Sequence, residues 1–190
     1  MEFFEESNIG FSTSAGKVPI VVGLSLFDLG NGSAMVRPGH KRGKRSCSSS
    51  IFKMQLGRVG AGWGATVSKW RGKEFSELGG LGCSTLREGD LIVSCLIAVN
   101  ASGDFVFGKY PDKIRDGQFS IPKVNPFENT TIGVVATNAK LTKSECFPAR
   151  QSAHDGYARA LFPAHTSGDG DAVVGFSNGQ VPAEMSQFDR

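Results

Sequence analysis

The fold is decided by residues 129–143, which are Asn129-Thr-Thr-Ile-Gly-Val-Val-Ala-Thr-Asn-Ala-Lys-Leu-Thr-Lys143. Within this stretch the apolar, β-branched run Ile132–Ala136 predicts a short buried strand. The triplet Asn129-Thr130-Thr131 in front of it is typical of a turn that opens a strand. The triplet also satisfies the glycosylation sequon, which has meaning only for a secreted chain. By itself it is too short a motif to establish catalysis.

Other apolar runs on both sides of this stretch predict further strands. These runs are Val18–Leu29, Leu91–Val99 and Ala172–Phe176, and turn residues follow the second of them at 100–104. One-sided apolar spacing predicts a short amphipathic helix at Gln151–Phe162. Residues Glu2–Ser7 resemble the last turns of a helix, which Asn8 and Gly10 would end. Several strands with few helices favour a layered α/β domain.

Two segments have the composition of irregular chain. Residues 30–50 are rich in turn formers, and residues 111–128 are polar, contain prolines and show no periodicity. The first segment includes the basic run Lys41–Arg45, which holds much of the net charge of +3. Such a run can be a nucleic-acid or localisation patch, but Gly43 and the serines after it favour a solvated loop. We therefore expect no nucleic-acid partner.

Length and composition limit the class of protein. A chain of 190 residues with 39% hydrophobic residues and 25 glycines predicts one globular domain with many tight turns. Residues Met1–Glu6 are acidic where a secretory signal needs basic residues. No apolar run approaches the roughly 20 residues that a bilayer-spanning helix needs. We expect a soluble, cytoplasmic protein with no membrane partner.

Metal and cofactor sites receive little support from the sequence. The cysteines form no Cys-x-x-Cys pair and predict reduced structural thiols; they are Cys47, Cys83, Cys95 and Cys146. The spacing Gly60-x-Gly62-x-Gly64 invites comparison with a phosphate loop. It lacks the Lys-Ser/Thr that such a loop requires and opens no clear helix. No metal and no cofactor are predicted.

An ordered set of motifs gives a more specific indication than any one of them. Residues 129–143 resemble the start of the small subunit in the DmpA-type aminopeptidases, a family with β-aminopeptidases, L-aminopeptidase/D-esterases and nylon-oligomer hydrolases. Further segments match the family in order: Gly60–Lys69, Gly79–Gly82, Ala98–Asn100, Ala153–Ala160, Pro163–Thr166 and Asp169-Gly170-Asp171. The resemblance covers most of the chain from about Ile9 to Phe176.

The resemblance implies an αββα four-layer sandwich of the DmpA/ornithine acetyltransferase type and an autoproteolytic precursor. Cleavage of the Asn129–Thr130 bond would divide the single partial domain into pieces 1–129 and 130–190. Thr130 falls on the family's nucleophile position, and a threonine at a new N-terminus has its own base, since an α-amine has a pKa of about 7.7–8.0. The family also implies a peptide or small amide substrate and a homo-oligomer of cleaved heterodimers.

Four other residues fall on active-site positions of the family: Lys69, Asn100, Asp169 and Asp171. Asp169 and Asp171 would point to the same side of an extended segment and orient the Thr130 amine or hydroxyl. Asn100 would donate its side-chain amide to an oxyanion, and Lys69 would polarise that amide or stabilise negative charge near Thr130. His154 and His165 are expected to be structural, because an N-terminal threonine needs no histidine.

Several features depart from the family pattern and leave other hypotheses open. The family's polypeptides are longer at both ends, residues 41–50 match poorly, and Ser68 stands where a glycine is usual before Lys69. One alternative is a fragment or decayed copy that neither cleaves itself nor turns over substrate. Another is acyl transfer as in the ornithine acetyltransferases, whose sequence around the nucleophile differs from residues 129–133.

Overall fold

The computed structural model describes residues 1–49, 54–106 and 128–183. The described helices are α1 (Glu2–Glu6), α2 (His40–Ser48) and α3 (Cys146–Ala160), with short 3-10 turns at Gly60–Gly62, Lys69–Arg71 and Lys73–Phe75. The described strands are β1 (Phe11–Thr13), β2 (Gly16–Val18), β3 (Thr66–Val67), β4 (Glu77–Leu78), β5 (Gly80–Glu88), β6 (Leu91–Val99), β7 (Asp104–Phe105), β8 (Ile132–Ala139), β9 (Leu161–Phe162) and β10 (Ala172–Val181). The chain is therefore a mixed α/β protein, as predicted.

A four-stranded mixed sheet in the order β10-β8-β6-β5 forms the centre of the fold. Strands β5 and β6 make an antiparallel hairpin, and β6 pairs antiparallel with β8. Strand β8 pairs parallel with β10. A parallel pair needs a crossover connection, and α3 supplies it between β8 and β10.

The strand directions bring the ends of three strands to one edge of the sheet. Because β6 runs antiparallel to β8 and β10, its C-terminal end lies beside the N-terminal ends of the other two. Ala98 pairs with Ile132, and Ile132 pairs with Ala172. The residues just beyond this row are Asn100, Thr131 and Asp171. The topology thus places three separate segments of the sequence next to one another.

Helix α3 packs on β8 and β10 and helps to build the core. Its Tyr157 is only 4% exposed and packs with a cluster of buried apolar side chains: Val67, Ala101, Leu161 and Val173. A cavity of about 820 Å³ extends from this helix along the apolar face of the sheet. The core beneath the strand ends is therefore formed by β3, α3 and β10 together.

Several predicted elements are confirmed. The strand predicted at Leu91–Val99 is β6, and those predicted at 132–136 and 172–176 are the first halves of β8 and β10. The predicted N-terminal helix is α1, and Asn8 after it has a positive φ of 53°. The helix predicted at 151–162 begins earlier, at Cys146, and ends at Ala160, because Leu161 and Phe162 pair with β7 instead.

The strand predicted at Val18–Leu29 is wrong. Only Val18 lies in a strand, β2, and residues 19–29 have no regular structure. Ile20 is 76% exposed and Val22 is 68% exposed. An apolar run forms a buried strand only where a neighbouring strand supplies its hydrogen bonds, and the described residues pair no strand with 19–29.

The loop predicted at 30–50 contains α2, so the basic run Lys41–Arg45 is helical rather than irregular. Lysine and arginine are good helix formers. The prediction gave more weight to Gly43 and the serines that follow, which favour turns. Lys44 pairs with Glu2 and Glu6 of α1, which joins the two helices on the surface. Such exposed pairs stabilise a fold only weakly. The predicted linker at 111–128 lies outside the described residues except for Glu128.

Two nearby glycines differ in what they tolerate. A Cβ added at Gly79 would overlap the Val99 carbonyl oxygen, whereas one added at Gly82 would meet nothing within 4 Å. We therefore expect Gly79→Ala to destabilise the fold by roughly 1–3 kcal/mol through overpacking. Gly82→Ala, the matched control, should stay within about 0.5 kcal/mol of wild type. Thermal unfolding of the two variants measures the difference, and equal midpoints would contradict this packing.

Candidate active site

Asn100 follows β6 and is the centre of a hydrogen-bonded cluster. It is fully buried, and its Oδ1 accepts hydrogen bonds from the Thr66 N–H at 3.0 Å and from Lys69 Nζ at 2.9 Å. Its Nδ2 donates to the Phe27 carbonyl oxygen at 2.8 Å. Its backbone carbonyl accepts from Lys69 Nζ at 3.3 Å and from the Thr130 N–H at 2.9 Å. One residue thus links Lys69 to the backbone nitrogen of Thr130.

Lys69 is held in place by the backbone before it. Ser68 has a φ of 65°, in the left-handed region that favours glycine, and the 3-10 turn Lys69–Arg71 starts immediately after it. This conformation explains why a glycine suits that position. Burial lowers the pKa of Lys69 to about 8, against the opposing influence of the Asp169 and Glu128 carboxylates. The ammonium is therefore present at neutral pH and is lost in mildly alkaline solution.

The peptide bond between Asn129 and Thr130 is buried and hydrogen-bonded on both sides. Asn129 is 3% exposed and Thr130 is 8% exposed. The Asn129 carbonyl oxygen accepts a hydrogen bond from the Gly170 N–H at 2.7 Å, and the Thr130 N–H donates to the Asn100 carbonyl at 2.9 Å. Asn129 also forms a parallel bridge with Asp169. The segment before β10 therefore extends the sheet ladder across this bond.

The Thr130 hydroxyl lies against the same segment. A Cβ added at Gly170 would sit 3.1 Å from Thr130 Oγ1 and 3.7 Å from the Asn129 carbonyl oxygen. A side chain at position 170 would therefore crowd the hydroxyl. Glycine at this position lets the backbone approach both the hydroxyl and the carbonyl.

The two carboxylates on either side of Gly170 are engaged with the surrounding chain. Asp169 accepts hydrogen bonds from the Ser102 N–H at 3.3 Å, from the Thr166 N–H at 2.9 Å and from the Thr166 hydroxyl at 2.8 Å. Asp171 accepts from the Thr131 N–H at 2.7 Å. Through these bonds the carboxylates fix the backbone around the Asn129–Thr130 bond.

Asp171 also pairs with a histidine. His165 Nδ1 lies 2.8 Å from Asp171 Oδ2, and its Nε2 lies 3.3 Å from the His154 carbonyl oxygen. The pKa of Asp171 is raised because the side chain is buried, while the Thr131 N–H and His165 oppose that effect. Burial likewise lowers the pKa of His154, whose ring centroid is 4.9 Å from that of His165. His165 thus supports a carboxylate of the site.

The five residues expected from the sequence converge around the Asn129–Thr130 peptide: Thr130, Lys69, Asn100, Asp169 and Asp171. A model of peptidase family S58 matches residues 3–189 of the chain. The chain belongs to peptidase family S58. The family expected from the motifs, that of the DmpA-type aminopeptidases, is confirmed.

Two relatives that match the chain carry the names of amide-cleaving enzymes. The chain is 33% identical to an "uncharacterized aminopeptidase" of Mycobacterium tuberculosis, over 95% of this chain and 57% of the relative. It is 24% identical to the 6-aminohexanoate-oligomer endohydrolase of Paenarthrobacter ureafaciens, over 89% of this chain and 53% of the relative. The chain thus spans little more than half the length of the curated relatives it matches.

Two features of this S58 site had no signal in the sequence. The Gly170 N–H and the Phe27 carbonyl are backbone groups, which residue type does not reveal. His165, expected to be structural, contacts Asp171 directly, which is consistent with a supporting role.

Among residues 1–49, 54–106 and 128–183, no group of three or more His, Cys, Asp or Glu side chains is placed to hold a metal ion. The four cysteines are free, and no described helix is long and apolar enough to span a bilayer.

Proposed function

We propose that the chain cleaves its own Asn129–Thr130 bond and that Thr130 then serves as an N-terminal nucleophile for amide hydrolysis. One observation carries the proposal. The Thr130 nitrogen, which cleavage would turn into a free amine, is hydrogen-bonded to the Asn100 carbonyl to which Lys69 also donates. A hydroxyl next to a buried peptide can attack it, and a nearby cation can offset the negative charge that develops, so this arrangement supports an N-to-O acyl shift.

Self-cleavage begins with attack of Thr130 Oγ1 on the Asn129 carbonyl carbon. The hydroxyl proton passes to the Thr130 nitrogen, the C–N bond breaks, and an ester joins Asn129 to the Thr130 side chain. Water then hydrolyses the ester, which leaves an Asn129 carboxylate and a free Thr130 with its hydroxyl restored. The same residue is thereby prepared for catalysis on other molecules.

In the cleaved protein the new α-amine acts as the base for the Thr130 hydroxyl. Its pKa of about 7.7–8.0 lies close to neutral pH, which suits proton transfer. The Asn100 carbonyl, which accepts from the Thr130 nitrogen before cleavage, remains an acceptor for that amine. Thr130 attacks the substrate amide, releases the amine product and is regenerated by water through an acyl-enzyme.

The surrounding residues take supporting roles in this proposal. Lys69 acts as an ammonium that polarises Asn100 and offsets negative charge. Asn100 Nδ2 has a second hydrogen besides the one donated to Phe27, and that hydrogen would serve a substrate oxyanion. Asp169 and Asp171 are positioning residues, because their described bonds go to Ser102, Thr166, Thr131 and His165.

The finer expectations from the resemblance belong to the same proposal. The mixed sheet and α3 would be one β layer and one α layer of an αββα four-layer sandwich. The substrate would be a peptide or a β-amino or nylon-like amide, in keeping with the relatives named aminopeptidase and 6-aminohexanoate-oligomer endohydrolase. Cleaved pieces 1–129 and 130–190 would stay together and assemble as a homo-oligomer.

The intact mass of the purified chain tests this function. We expect the 20.2 kDa chain to separate under denaturing conditions into two pieces with a new N-terminus at Thr130, and N-terminal sequencing would verify that residue. Hydrolysis of amino-acid amides and of 6-aminohexanoate oligomers then tests turnover. A chain that folds and yet stays intact would exclude self-cleavage and favour an inactive relative of the family.

A further inference from the structure

We propose that the backbone N–H of Gly170 stabilises the oxyanion that forms on Asn129 during self-cleavage. The inference rests on the proposed function, and it assigns the donor for the maturation step. In the uncleaved chain this N–H already donates to the Asn129 carbonyl oxygen at 2.7 Å. The donor thus already contacts the oxygen that becomes the oxyanion; the range of roughly 2.7–3.1 Å for an oxyanion donor applies to that oxygen once the carbonyl carbon is tetrahedral.

The donor acts where negative charge develops. As the Thr130 oxygen bonds to the Asn129 carbonyl carbon, the π-electron pair of the carbonyl moves onto the Asn129 oxygen. The pair returns when the C–N bond breaks and the Thr130 nitrogen leaves with the proton from the hydroxyl. Because Asn129 is buried, a hydrogen bond to that oxygen strengthens more during this step than it would in water.

Hydrogen bonds to other groups hold the two carboxylates that flank Gly170. Asp169 and Asp171 flank Gly170, but Asp169 accepts bonds from Ser102 and Thr166, and Asp171 accepts from Thr131 and His165. The segment therefore presents an N–H, and not a carboxylate, to the Asn129 oxygen.

Glycine also leaves the path of attack open. A Cβ at position 170 would lie 3.1 Å from Thr130 Oγ1, which is closer than ordinary van der Waals contact. A side chain there would press on the attacking oxygen while it moves toward the carbonyl carbon. The absence of a side chain and the presence of the N–H thus serve the same step.

An adjacent bond of the same ladder provides a matched comparison. The Ala172 N–H donates to the Thr131 carbonyl oxygen at 3.0 Å. Both bonds join the segment before β10 to the segment before β8, so both contribute to the fold. Only the Gly170 bond reaches the carbonyl that Thr130 attacks.

Replacing a single amide by an ester removes the N–H and little else. The full chain is synthesised in vitro with glycolic acid in place of Gly170, or with lactic acid in place of Ala172, and the appearance of piece 130–190 is followed on denaturing gels. We expect the Gly170 ester to cleave roughly 10²–10³-fold more slowly than wild type. The Ala172 ester should cleave within a few-fold of wild type. Rates are compared for the protease-resistant, folded fraction.

The outcomes separate this inference from the proposed function. Equal slowing by the two esters, or a wild-type rate in the Gly170 ester, would overturn the role of Gly170 while self-cleavage stands. Failure of the wild-type chain to cleave would overturn both. If the Gly170 ester does not fold, the uncleaved Thr130→Val chain supplies a second measurement. A scalar coupling across the hydrogen bond between the Gly170 nitrogen and the Asn129 carbonyl carbon is expected there, and its absence would overturn the assignment.

Discussion

Thr130→Val will leave the chain as one uncleaved species. Valine has nearly the shape of threonine but lacks the hydroxyl that would attack the Asn129 carbonyl, so the first step of self-cleavage cannot occur. Thr130 is 8% exposed, and the change removes one polar atom without opening a cavity. Intact mass after prolonged incubation should show the 20.2 kDa chain alone. Amide hydrolysis should be lost as well, because no N-terminal threonine is made.

Thr131→Val is the control for this experiment. Thr131 is fully buried, and its hydroxyl has no hydrogen-bond partner among the described residues. Removing an unsatisfied buried hydroxyl should be neutral or stabilise the fold by about 1 kcal/mol. Cleavage at the Asn129–Thr130 bond should continue. If Thr131→Val stops cleavage and Thr130→Val does not, the nucleophile has been assigned to the wrong threonine.

The expectation that the site residues share one site came from the family resemblance, and strand signals in the sequence mark where three of them lie. Asn100 comes after the apolar run of β6, and Thr130 and Asp171 come before those of β8 and β10. Each run ends abruptly at polar residues, which sequence shows clearly. The strand order β10-β8-β6-β5, which brings the three strand ends together, could not be predicted, since periodicity does not determine which strands pair.

Other parts of the site could not be predicted, for physical reasons that differ. The Gly170 N–H is a backbone donor, so its role depends on the register of β10 against β8. Phe27, whose carbonyl holds the Asn100 amide, lies in the run Val18–Leu29 that favoured a buried strand. An apolar run can be recognised in the sequence, but whether it forms a strand depends on a partner strand elsewhere in the chain.

Lys69→Met will slow self-cleavage by roughly 10²-fold or more, because it removes the cation that polarises Asn100 beside the Asn129–Thr130 bond. In the wild-type chain the rate should fall as pH rises through about 8, the pKa to which burial lowers Lys69. The Lys69→Met chain should show no such step. Lys69→Arg keeps its charge at that pH and should restore part of the rate without the alkaline fall. Time courses of self-cleavage, followed on denaturing gels from pH 6 to about 10, give the rates of all three chains.

Stability should change with pH in the direction opposite to that of the cleavage rate. The folded pKa of Lys69 is about 8, below the ordinary value of 10.5, so between these values the unfolded chain binds more protons than the folded one. The free energy of unfolding therefore rises with pH across this window. The full cost of burying the ammonium applies only below about pH 8, where Lys69 is protonated in both the folded and the unfolded chain. Denaturant unfolding of Thr130→Val, with and without Lys69→Met, measures this difference. A cleavage rate that falls where the fold becomes more stable cannot result from unfolding, so it would report the loss of the Lys69 proton. A rate that instead rises through pH 8 would assign Lys69 the role of a base.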